Sequence, residues 1–75
     1  MTLPPDPEGM NDKRAAWGGE AIVRFIKTTG TDLEDSLCDL LCDLMHWADR
    51  TEEVDFEADL ERARYHYDAE TEDAE

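Results

Sequence analysis

The chain has 75 residues and a formal net charge of −14, with 21 acidic side chains against 7 basic ones. That length allows one small domain, which buries only about 60% of the surface its unfolded form exposes. Direct nucleic-acid binding calls for the opposite sign of charge, and the absence of any run of about 18 apolar residues leaves nothing to span a membrane.

Leu, Ile, Val and Phe number only 13 of the 75 residues, so the core is expected to be thin and to need a second copy or a partner to complete it. The charge is unevenly placed. Residues 1–28 balance Lys13, Arg14, Arg24 and Lys27 against Asp6, Glu8, Asp12 and Glu20, whereas residues 29–75 set seventeen acids against Arg50, Arg62 and Arg64. An acidic surface of this kind is repelled by anionic lipid headgroups. The amino terminus lacks the basic-then-apolar order of a secretory signal. Cys38 and Cys42 stand one helical turn apart, where a disulfide would distort the backbone, so both are expected as free thiols in a reducing cytoplasm.

In chain order, residues 1–11 carry all three prolines and Gly9, which predicts a flexible tail over 1–17 with at most a turn of helix from Asp12 before Gly18 and Gly19 end it. Trp17 is expected as a lid on the core, with an exposed contact as the alternative. Residues 20–28 fit a helix or a short strand. Helix is preferred, because nothing later in the chain reads as a strand that could pair with it. The segment Thr31–Arg50, TDLEDSLCDLLCDLMHWADR, is the strongest helix in the sequence. At about 100° per residue, Leu33, Leu37, Leu40, Leu41, Leu44, Trp47 and Ala48 share one stripe, while Asp35, Asp39, Asp43 and Arg50 lie opposite with His46 among the aspartates. Thr31-x-x-Glu34 has the form of a capping box. After a linker at 51–54, Asp55 is a plausible N-cap for a third helix, along which Phe56, Leu60, Ala63 and Tyr67 form a narrow seam suited to helix packing. The whole reads as a small all-α, three-helix domain (about 18–28, 31–50 and 55–70), giving a helical domain over 18–70 and an acidic frayed tail over 71–75.

Little in the chain is suited to catalysis. Cys38, Cys42 and His46 follow one another at four-residue steps, so the outer two lie about 12 Å apart along the axis, too far to share a zinc ion. Asp43-x-x-His46 is half of a di-metal bundle motif with no second copy. Gly18-Gly19 lacks the lysine and spacing of a phosphate loop, and no nucleophile stands in sequence with a base. The expectation is a non-enzyme with no metal and no cofactor.

The acidic row is the feature that needs a reason. Like charges four residues apart destabilise an isolated helix by a few tenths of a kcal/mol per pair. Solvation alone accounts for many acidic faces. A row of charges about 6 Å apart also imitates the spaced phosphates of nucleic acid and suits a groove of Lys and Arg. On this reading the partner is a basic protein surface. Asp35, Asp39, Asp43 and Asp49 meet it with His46 among them, Glu57 and Glu61 extend the contact from the third helix, and Trp47, Tyr65 or Trp17 supplies an apolar anchor. The other reading is an interaction module, either a homodimer that pairs its leucine stripe with its own copy or an antitoxin-like partner.

The segments DLLCDLMHWADR and DFEADLERARYHYDAE resemble a pattern of small acidic proteins encoded by bacterial phages, plasmids and integrated elements. Such proteins are similar in kind to anti-CRISPR proteins, several of which are acidic and block the nucleic-acid-binding surfaces of Cas complexes. The resemblance spans roughly residues 35–70 and brings no catalytic or ligand motif. It implies a monomeric or dimeric inhibitor with a Cas complex as one candidate target.

Overall fold

A computed structural model of the chain describes residues 9–71, and all regular structure among them is helical. Three helices follow one another: α1 (Met10–Thr29), α2 (Leu33–Asp49) and α3 (Phe56–Thr71). The segment 20–28 is thus helix. The expected tail at 1–8 and the last four residues of the acidic tail lie outside the described residues.

α1 begins eight residues earlier than expected and runs through Gly18 and Gly19 without a break. A glycine inside a helix costs only about 1 kcal/mol relative to alanine. Ala15, Ala16 and Ala21 around the pair favour helix enough to carry the chain across. The helix stops at Gly30 instead, which adopts φ 76° and donates its N–H to the Ile26 carbonyl at 2.7 Å. That left-handed cap is open to glycine at little steric cost.

The capping box expected at the start of α2 does not form. Asp32, not Thr31, is the N-cap, and it makes no side-chain capping bond; the Thr31 hydroxyl, one residue outside the cap, donates to Asp39 Oδ2 at 2.6 Å. A hydroxyl donating to a carboxylate makes a charge-assisted bond, stronger than a neutral one. The cap of α3 is as expected, with the Ala58 N–H donating to Asp55 Oδ1 at 3.1 Å.

Half-buried and buried residues fall where helix ends meet. The second half of α1 (Ile22, Phe25, Ile26) lies against the first half of α2 (Ser36, Asp39, Leu40), and the end of α2 at Ala48 meets Val54 and Phe56 at the start of α3. The end of α3 returns to the start of α1. Asn11 Nδ2 donates to the Glu70 carbonyl at 3.0 Å, and Arg14 Nε lies 3.6 Å from Glu70 Oε1. Between these corners, residues 15–21, 41–47 and 57–68 are exposed throughout. The helices therefore run as the sides of a flat triangle of 41 × 27 × 16 Å. Its thickness is little more than the diameter of about 10–12 Å of one helix. The radius of gyration, 14.5 Å, exceeds the roughly 11 Å of a compact domain of this length.

A layer one helix thick cannot enclose its apolar stripe. Among the described residues only Ala48 and Ser36 are buried. The leucine stripe expected to form the core instead leaves Leu33 76% and Leu37 60% exposed, because α1 approaches α2 on its Ser36–Leu40 side and α3 meets only its end. Trp17, expected as a lid, is 57% exposed. Of the α3 seam only Phe56 finds partial cover, and Leu60 and Tyr67 face water.

Candidate partner-binding surface

α2 carries the candidate aspartates and His46 on the side away from its leucines, with Trp47 on the leucine stripe, and the structure treats Asp35, Asp39 and Asp43 differently. Asp39 is half-buried at the α1–α2 corner, in a notch lined by Phe25, Thr29, Thr31, Cys42 and Asp43, and it accepts the Thr31 hydroxyl. It is partly a structural residue. Asp35 and Asp43 are exposed, one helical turn to either side of it.

Most of the arginines act locally. Arg62 pairs with Asp59 at 3.3 Å and Arg64 with Asp68 at 3.8 Å within α3, while Arg14 closes the triangle on Glu70. Arg50 Nη1 donates to the His46 carbonyl at 2.8 Å and so satisfies one of the orphan acceptors at the end of α2. Among the described residues, Asp35, Asp43, Asp49, Glu57 and Glu61 have no cationic side chain within ion-pair distance, and Arg24 and Lys27 do not reach the aspartate row. The internal neutralisation that would turn the row into scaffolding is absent there.

His46 is exposed beside the aspartates. Trp47 and Tyr65, the expected apolar anchors, are 55% and 59% exposed. They lie on different helices, and Tyr65 meets the His66 ring edge-on at a centroid distance of 5.8 Å. The structure thus brings Asp35, Asp39, Asp43, His46, Trp47 and Asp49 together on one helix and leaves Glu57, Glu61 and Tyr65 on another. Both cysteines are free and exposed. Among the described residues no three His, Cys, Asp or Glu side chains converge on one point, and no helix is long and apolar enough to cross a membrane.

Two features are not legible in the sequence. The Arg14–Glu70 contact joins residues 56 positions apart, and no local pattern announces it. The exposure of Leu33 and Leu37 has only an indirect signal, the shortage of large apolar residues outside α2 to cover them. Compared with protein-family models, with curated proteins and with solved structures, the chain shows no significant match. The resemblance to small mobile-element proteins rests on the residues quoted for it alone.

Proposed function

We propose that this chain is a non-enzymatic acidic inhibitor that occupies a basic, nucleic-acid-binding surface of a bacterial protein complex, by phosphate mimicry or by steric occlusion. A Cas complex is the most specific target of this kind, which would make the chain an anti-CRISPR protein. The observation that carries the reading is the unneutralised acidic side of α2, where Asp35, Asp43 and Asp49 stand exposed without a cationic partner among the described residues. Asp35 and Asp43 are eight residues apart, about 12 Å along the axis. Like charges held on one face lower helix stability, and a cationic groove reverses that loss.

Charge complementarity of this type acts mainly on association rate and partner choice, and salt screens it. The test is capture of partners from a bacterial lysate at low and at high salt, with the wild-type chain and with Asp35, Asp39 and Asp43 all changed to Asn. The wild type is expected to hold a nucleic-acid-binding protein at low salt and release it at high salt, and the variant to lose it at both. Equal capture of the same protein by both chains at both salts would overturn the reading.

A further inference from the structure

Cys38 and Cys42 are both free and exposed, and they occupy successive turns on one side of α2. Residues four apart on a helix have Cβ atoms about 5–6 Å apart. A disulfide needs about 3.5–4.5 Å between those atoms, so the pair stays as two thiols for as long as α2 is wound. The same spacing suits a different bridge. With metal–sulfur bonds of about 2.3 Å, one ion held between two thiolates spans about 4.6 Å from sulfur to sulfur. The two Cβ–Sγ bonds reach that span by turning toward each other.

The surroundings decide which ion fits. Zinc takes four ligands, and among the described residues no three His, Cys, Asp or Glu side chains converge. His46, one turn beyond Cys42, lies about 12 Å along the axis from Cys38 and cannot complete such a set. A pair of thiolates alone suits an ion that is content with two ligands. Thiolate and thioether donors are soft and select Cu(I) among the transition metals. Met45, three residues beyond Cys42 and 43% exposed, adds a thioether on the same side of α2, and long helical side chains lean toward the preceding turn, here that of Cys42. The many carboxylates are hard donors that compete poorly for such an ion, while a net charge of −14 raises the concentration of any cation at the surface.

We infer that Cys38 and Cys42 form a binding site for one Cu(I) ion per chain, held as a two-coordinate bis-thiolate across one turn of α2. Each thiol gives up its proton to solvent and each sulfur donates an electron pair to the metal, so no electron is transferred and the copper stays Cu(I). The site uses neither Asp35 nor Asp43, so it stands or falls independently of the inhibitor reading.

The test is a titration of the reduced 75-residue chain with Cu(I) in oxygen-free buffer, in competition with the chelator bicinchoninic acid and followed by native mass spectrometry. The wild type is expected to hold one copper ion on a single chain. Cys38→Ser and Cys42→Ser should each lose it to the chelator. Cys42→Ser combined with Met45→Cys keeps two thiols on the same side of α2 but sets them about 10.5 Å apart along the axis, so it should lose the ion as well. These changes all fall on exposed residues, and the helical ellipticity of each variant should match that of the wild type. Loss of copper from the wild type, retention by either single Ser variant, equal retention by the spaced pair, or one ion bridging two chains would each overturn the proposal.

Discussion

Thr31 shows how one hydroxyl decides a local structure that sequence pattern alone misassigns. Its bond to Asp39 reaches past the first turn of α2 and ties the α1–α2 loop to the body of the helix. Thr31→Val is expected to lower stability by about 1 kcal/mol, as loss of a part-buried hydrogen bond does, while Glu34→Gln leaves stability unchanged because no capping box exists to lose. Urea denaturation followed by circular dichroism measures both. Gly18 and Gly19 give the opposite sign. A Cβ at either position meets nothing within 4 Å, and both lie inside α1, so Gly18→Ala and Gly19→Ala should each stabilise the chain by about 0.5–1 kcal/mol. A loss of stability at either site would mean that the helix does not pass through them.

At the scale of the element, periodicity identified all three helices because leucine and aspartate separate cleanly at 3.6 residues per turn along α2 and less cleanly along α3. The same periodicity could not say which side of α2 would find cover. That choice depends on where α1 and α3 approach, and the contacts that fix their approach, such as Arg14 with Glu70, join residues far apart in the chain. The beginning of α1 was hidden for a different reason: two adjacent glycines signal a break, and the favourable alanines on either side outweigh it. The acid row was legible residue by residue, but the half-burial of Asp39 was not, since it follows from the position of Thr31 in the loop. α2 should therefore divide its aspartates by effect. Asp43→Asn is expected to raise helix stability by a few tenths of a kcal/mol, by relieving like-charge repulsion, while weakening capture of a basic partner. Asp39→Asn should lower stability, because it replaces a charge-assisted bond with a weaker neutral one. Thermal melts of the two single variants beside the wild type distinguish these directions.

At the scale of the molecule, the triangle is closed by a single corner where Asn11 and Arg14 reach Glu70. Arg14→Ala should open that corner while leaving each helix wound, so small-angle scattering would record a radius of gyration larger than that of the wild type at nearly unchanged helical ellipticity. An unchanged radius would show that the corner does not depend on this contact. The thinness of the triangle also bears on how the protein's robustness should be measured. With so few side chains removed from water, whatever covers its broad faces contributes to keeping it folded, and ligand linkage then makes the melting temperature follow the occupancy of those faces. A bound partner should raise that temperature, so for this chain a melting curve doubles as a binding assay.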